Sequence, residues 1–438
     1  MKKSKYSFSN LTLPLMLEML LFTMLNNIDT LMLASYSDKA VAAIGSVGQV
    51  IFLTILFFQI ISNGSGILIV QNLGARNKIN AQNIIKISFI LNLVLGVIIS
   101  IILRKYTDNI ILYLGFKDEL YRIGVRFYKI IAMFSFVTAL QLVNNSVLRS
   151  YGYAKLSVKI NIFTNFINII GNAIFIFGLF NAPILGEVGV AISTVFSQII
   201  GLIITMYFII KKLKIIEANK NINFISNSLD ILRIGIPSAV ESLLYNFGQL
   251  IIIKLIATLG DSALTARAYI VTIARFVMVI SVGTGSASQI ITGYLVGAKH
   301  YKYAKKIVNK IFLKTILSIF ISTLIIIAFR KNILLIFTKD NDILNISIES
   351  IIAIVLLETG RSINMVYISA MKGAKDLIFP VIIGVISMWC IGVFGSYLAI
   401  NIFKLGLLGT FIAISLDEWF RGIIMIYRWN KEKWIKTF

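Results

Sequence analysis

Apolar runs of about 20 residues recur along the whole chain, and most of the Lys and Arg lie in the short stretches between them. About 20 apolar residues in a helix cross the hydrocarbon layer of a bilayer. Lipid admits only helices and closed barrels, because every backbone polar group must be satisfied without water. The period-2 alternation of barrel strands is missing from these runs. Composition points the same way: 58% of the 438 residues are hydrophobic and only 14% are charged. A water-soluble surface of this size would need more charge. The fold class expected is an all-α polytopic membrane protein.

Twelve spans fit the runs, at 11–35, 42–70, 84–103, 123–148, 159–180, 187–210, 234–257, 264–295, 311–329, 347–370, 378–402 and 405–428. With the N-terminus inside, inner loops take 26 of the 42 Lys and Arg and outer loops take 8. That bias places both termini in the cytoplasm. It also accounts for the net charge of +23 without nucleic acid as a partner. Lys2, Lys3 and Lys5 precede an apolar stretch too long for a signal-peptide core, so the first helix is expected to stay. The single cysteine, Cys390, excludes a disulfide framework. His300 is the one histidine, and no H-E-x-x-H or G-x-S-x-G is present. The chain is therefore not expected to be an enzyme, nor to hold a cofactor or a structural metal.

The chain contains itself twice. Pro14-x-x-x-Glu18 recurs as Pro237-x-x-x-Glu241, an offset of 223 (237 − 14). "LASYSDKAVAA" from Leu33 recurs as "IATLGDSALTA" from Ile256, and "LGARNKINA" from Leu73 as "VGAKHYKYA" from Val296, both at the same offset. "GYAK" at Gly152 pairs with "GAKD" at Gly373, and "GEVGVAI" at Gly186 with "GLLGTFI" at Gly406. Each half holds six spans, an even number, so both insert in the same sense. The expectation is an N-lobe (1–210), a cytoplasmic linker (211–233) and a C-lobe (234–438), related by a pseudo-two-fold along the membrane normal. Substrate sites in such repeats lie between the halves near the midplane.

Polar residues inside the spans need a reason, since a charge at a helix centre costs roughly 2.5–3.5 kcal/mol on insertion scales. Glu18 and Asp29 are 11 residues apart, about three helical turns, and share a face with Asn26 and Asn27 nearby. Asn161, Asn165, Asn168 and Asn172 recur at steps of 4, 3 and 4 in span 5, a polar stripe on one helix face. The stripe serves either as hydrogen-bond glue between helices or, at Asn168 and Asn172, as a site beside Asp29. An acid ringed by amides can hold a proton, because desolvation favours its neutral form. It can equally join other oxygens around Na⁺.

The second half carries Glu358 and Arg361 at i, i+3, and Asp417 and Glu418 with Arg421 at i, i+4 and i, i+3. Both spacings allow pairing on one helix. They read as an ion-pair network between spans 10 and 12, either structural or rearranging with conformation. Arg275 in span 8 has no local partner and is assigned to Glu241 or Glu358. Counting Glu18, Asp29, Glu241, Glu358, Asp417 and Glu418 against Arg275, Arg361 and Arg421 leaves three excess negative charges, which favours cationic substrates. Tyr245 and Met365 are candidates to line a pocket for flat cations.

These segments together resemble the multidrug and toxic compound extrusion (MATE) family of cation antiporters, in its prokaryotic, DinF-like type. The carrying residues are "NNIDTLMLASYSDKAVAAIG" with "QNLGARNKINA", "NFINIIGNAIFIFGL" with "GEVGVAISTVFSQ", and "GIPSAVESLLYNFGQL" with "YLVGAKHYKYA". The resemblance implies that Asp29 matches an essential first-span aspartate. It implies that Asn168 matches an asparagine one turn before a span-5 aspartate, which is Asn172 here, and that Thr194 matches a span-6 threonine. With that second carboxylate missing, the balance shifts from Na⁺ toward protons. The implied protein is a monomeric plasma-membrane antiporter that exports organic cations by alternating access in exchange for H⁺ or Na⁺. Its substrate is expected near Glu18 and Glu241. A flippase for lipid or lipid-linked oligosaccharide, of the same superfamily, is the alternative, kept open by Arg275 and Arg361.

Overall fold

Helices meet the apolar runs one for one. The computed structural model describes residues 6–213 and 223–437. The helices over the spans are α1 (Phe8–Ala34), α2 (Asp38–Gly74), α3 (Lys78–Lys105), α4 (Asp118–Met133 and Ser135–Ser150), α5 (Ala154–Phe177) and α6 (Glu187–Leu213). They continue as α7 (Phe224–Ala257), α8 (Asp261–Gly297), α9 (Tyr301–Ala328), α10 (Asn341–Gly373), α11 (Ile378–Asn401) and α12 (Gly406–Asn430). Among the described residues nine helices are long and apolar enough to cross a bilayer, and the bent pair that forms α4 makes ten. The remaining two are α1, whose described apolar stretch is Phe8–Leu21, and α12, whose apolar run is broken by Asp417, Glu418 and Arg421. No strand occurs among the described residues.

Several helices outrun their apolar cores. α9 starts at Tyr301 rather than 311, and α7 starts at Phe224, inside the stretch read as linker. Hydropathy reports contact with lipid, whereas a helix ends where its backbone is capped. The Asn223 carboxamide accepts from Ser226 N and opens α7. Ser37 and Asn77 cap α2 and α3 in the same way. Residues 214–222 of the linker, and the side chains of Asn26 and Asn27, lie outside the described residues.

α4 bends by 50° at Phe134. Ser100 of α3 accepts from Phe136 N at 3.1 Å, so its hydroxyl serves the backbone at the bend, and it also meets the Ser135 hydroxyl at 2.8 Å. Small residues let helices approach closely. A Cβ at Gly66 would lie 2.5 Å from Ser146 Oγ, and Ser146 and Ser150 donate to the carbonyls of Ser62 and Gly66.

The duplication is visible in backbone geometry. Arg76 and Lys299, 223 residues apart, both have φ near +60° in the turn after a helix. In each, the following amide donates five residues back, Asn77 to Asn72 and His300 to Leu295. The same turn recurs at Gly152 and Lys375, again 223 apart, where Tyr153 donates to Leu148 and Asp376 to Met371. The sequence match of Gly152 with Gly373 is therefore out of register by two residues.

The chain packs as two compact units, Leu17–Ala239 and Val240–Phe438 with the residues up to Met16. The changes of unit fall within α1 after Met16 and within α7 after Ala239, once more 223 residues apart and just beyond Pro14 and Pro237. The core of the first unit includes Leu33, Val47, Phe127 and Val190, and that of the second Ile252, Ile270, Ile354 and Phe411.

Candidate functional site

In the first unit, one face of α5 is polar and the opposite face is apolar. Phe163, Phe166 and Ile170 are exposed, while Asn168 and Asn172 are buried. The Asn172 carboxamide donates to Asp29 Oδ1 at 2.7 Å and sits 3.4 Å from Asn168 Oδ1. Asn168 donates to Thr194 Oγ1 of α6 at 3.3 Å, and Thr194 donates to the Val190 carbonyl. The four residues named for ion coupling thus form one hydrogen-bond chain, Asp29–Asn172–Asn168–Thr194. Asn172 Oδ1 is buried and has no partner among the described residues.

Glu18 lies lower on the same helix. Asn161 donates to Glu18 Oε1 at 2.9 Å, and Arg149 approaches Glu18 Oε2 at 3.9 Å. Both α1–α5 contacts link residues 143 apart in sequence, Glu18 with Asn161 and Asp29 with Asn172. A constant offset means that the two helices run parallel in register over about 16 Å.

The second unit holds a partly open cavity of about 510 Å³, walled by α7, α8, α10, α11 and α12. Its charged lining is Glu241, Arg267, Arg275, Arg361, Lys372, Glu418 and Arg421. Glu241 pairs with Lys372 at 2.7 Å. Arg361 pairs with Glu358 and lies 3.6 Å from Glu418, and Arg421 reaches Asp417 at 2.7 Å and Glu418 at 3.2 Å. Neutral donors fix the acids: Asn364 to Glu418 Oε2 at 2.6 Å and Ser387 to Asp417 Oδ1 at 2.5 Å. The spacing-based pairs within spans 10 and 12 are present, and Glu418 joins them across the two helices.

Two placements depart from the sequence reading. Arg275 makes no ion pair among the described residues, since Glu241 is taken by Lys372 and Glu358 by Arg361. Tyr245 and Met365 do line the cavity, but the Tyr245 ring already faces a cation of the protein, with the Arg421 guanidinium 5.8 Å from its centroid. Glu18 and Glu241 fall in different units. The charge balance of this cavity also changes sign. Arg267 and Lys372, left out of the sequence count, face it, and Glu358 and Asp417 are fully buried behind their arginines. The signal that was available for Arg267 is its position within a span, two turns from Arg275 on the same helix face. Lys372 stood at a span end, where a cytoplasmic reading is the default.

A model of the MatE family matches residues 14–174 and, a second time, 237–398. The chain belongs to the MatE family. The two matches begin 223 residues apart, at Pro14 and Pro237, so the family unit is the repeat itself. This MatE chain is 34% identical over 433 residues to an uncharacterized transporter, YisQ, of Bacillus subtilis, covering 98% of this chain and 95% of the relative. It is 25% identical over 428 residues to a probable multidrug resistance protein, NorM, of Thermotoga maritima, covering 97% and 92%. Its fold matches the solved outward-facing conformation of a multidrug resistance MATE family transporter with a TM-score of 0.87 at 21% identity, covering 98% and 96%. It is thus a multi-pass membrane protein of a transporter family, with twelve helices in two lobes.

Proposed function

We propose that this MatE protein is a plasma-membrane antiporter that exports small amphipathic organic molecules in exchange for protons, with Asp29 as the group that carries the proton. The observation that carries the reading is the Asp29–Asn172–Asn168–Thr194 chain. It gives a membrane-embedded carboxyl one strong neutral partner and, among the described residues, no second acid. A carboxamide can serve both states of such an acid. Its NH₂ donates to the carboxylate, and its oxygen accepts from the protonated carboxyl after rotation of the amide about its last torsion. Asn172 Oδ1, buried and without partner, is the acceptor that such a rotation brings into use.

Proton gain and loss at Asp29 changes the strength of its tie to α5, and alternation between the faces of the membrane follows if the two states of that tie favour different helix positions. A neutral amide in place of a second carboxylate removes a negative ligand from any Na⁺ site, which favours the proton as coupling ion. The Lys and Arg excess in the inner loops supports cytoplasmic termini.

The test is dye efflux from proteoliposomes under a pH gradient or a Na⁺ gradient applied separately. Efflux driven by the pH gradient and lost in Asp29→Asn is expected. Efflux driven by Na⁺ alone would transfer the role to that ion. Bidirectional scrambling of labelled lipid with no dye efflux would replace export by lipid translocation, the reading that the arginines of the second unit support.

A further inference from the structure

We infer that the cavity of the second unit recognises an anionic group on an amphipathic organic substrate, through Arg267 and Arg275 of α8. The inference deepens the transport reading, on which it rests for the word substrate. Seven charged side chains line this cavity, five basic and two acidic. Two of the five bases, Arg361 and Arg421, are committed to carboxylates, and Lys372 is committed to Glu241. Arg267 and Arg275 have no carboxylate partner among the described residues, and both line the space. A guanidinium inside a span without a counter-ion is expensive, and the cost is offset when an anion fills the site.

Arg267 is also positioned. Its Nη2 donates to Gln249 Oε1 at 3.4 Å, and Gln249 in turn donates to Tyr245 Oη at 3.3 Å. The amide fixes the guanidinium from one side while leaving the rest of its donors for a ligand. Arg267 and Arg275 are eight residues apart on one helix, a separation of about 12 Å along the axis at the backbone, on nearly the same face. Between and beside them the wall is apolar: Val271, Ala274, Met278, Met388, Phe411 and Ile414. Arg421 adds a buried Nε–H with no acceptor among the described residues. A ligand that answers these groups has an apolar or aromatic body and a carboxylate, sulfonate or phosphate. A cation would meet two arginines that have no carboxylate partner among the described residues.

A pair of dyes with one tricyclic frame and opposite charge separates the possibilities: fluorescein, an anion, and rhodamine 123, a cation. Equilibrium binding to the detergent-solubilised full chain is read by fluorescence anisotropy, and flux is read in proteoliposomes under a pH gradient. Fluorescein is expected to bind at least tenfold more tightly than rhodamine 123. Arg267→Gln and Arg275→Gln are each expected to raise the Kd for fluorescein by about tenfold, the effect of losing one charge-assisted hydrogen bond. Arg275→Glu is expected to invert the preference, and its thermal unfolding in detergent serves as the control for folding. Rhodamine 123 binding more tightly, with no effect of either glutamine variant on fluorescein in folded protein, overturns the inference and leaves proton-coupled export standing. Arginine-dependent fluorescein binding without flux of either dye supports the anion site and removes the transport reading. A further arm uses vesicles containing NBD-labelled phosphatidylglycerol. Arginine-dependent translocation of that lipid supports the same chemistry and assigns the anion to a lipid headgroup, whereas flux of fluorescein alone assigns it to a soluble acid.

Discussion

Asn172 donates to Asp29 at 2.7 Å across 143 residues of sequence, and Asn161 donates to Glu18 across the same interval. Two contacts in one parallel register tie α1 to α5 at both ends of a polar seam. The upper one holds the acid read as the proton carrier. The lower one holds Glu18, whose second oxygen is buried without a hydrogen-bond partner among the described residues.

Asp29→Asn is expected to abolish pH-driven efflux while leaving the fold intact. The amide oxygen can still accept from Asn172, so the midpoint of thermal unfolding in detergent should stay within a few degrees of wild type. The measurement is efflux and unfolding on the same preparation. Wild-type efflux from a folded variant excludes Asp29 as the carrier.

Asn172→Asp places a second carboxyl at hydrogen-bond distance from Asp29. Two acids that close share a proton or recruit a cation, since like charges cannot both stand bare. The variant is expected to acquire Na⁺-stimulated efflux that the wild type lacks, read by varying Na⁺ at fixed pH. Identical Na⁺ insensitivity in both proteins counts against the view that the missing acid decides the coupling ion.

Gly64 and Gly235 sit where α2 and the first part of α7 touch backbone to backbone. A Cβ on Gly64 would lie 2.2 Å from the Ile231 carbonyl oxygen, and one on Gly235 1.9 Å from that of Ile60. Neither neighbour can swing aside, because both are main chain. Alanine at either position is expected to cost about 1–3 kcal/mol or more by overpacking, seen as a lowered unfolding midpoint. Gly384, which meets nothing within 4 Å, is the control and should tolerate alanine.

Glu358 is fully buried, and Arg361 is its one ion-pair partner among the described residues. Arg361→Met alone leaves a buried charge unpaired and is expected to destabilise by about 3–5 kcal/mol. Glu358→Leu combined with Arg361→Met is expected to regain most of that loss, because it removes both desolvated groups. A double-mutant cycle in denaturant checks this. Lys39 and Glu119, paired at 2.5 Å but with side chains 63% and 58% exposed, mark the other extreme. Lys39→Ala is expected to leave the unfolding midpoint unchanged.

Much was legible in the sequence alone. Bilayer thickness turns hydropathy into a ruler, and the 223-residue repeat sets six spans against six. The stripe Asn161–Asn165–Asn168–Asn172 shows a polar helix face by periodicity alone, and three of its four members meet Glu18, Asp29 or Thr194. What failed to show were helix ends in water, where caps rather than hydropathy decide, and the register at Gly152, where a left-handed turn and not residue similarity marks the equivalence.

The sequence by itself determined the twelve-helix class, the duplication and the buried acid of α1, because these depend on local periodicity and on the cost of charge in lipid. Spacing also gave the pairs within spans 10 and 12, but only the tertiary structure decided which charges are spent between helices, Lys372 on Glu241 and Arg361 on Glu418. Such pairing is a matter of a few ångströms between side chains far apart in sequence, and among the described residues it left Arg267 and Arg275 without a carboxylate where the count of acids and bases had suggested the reverse.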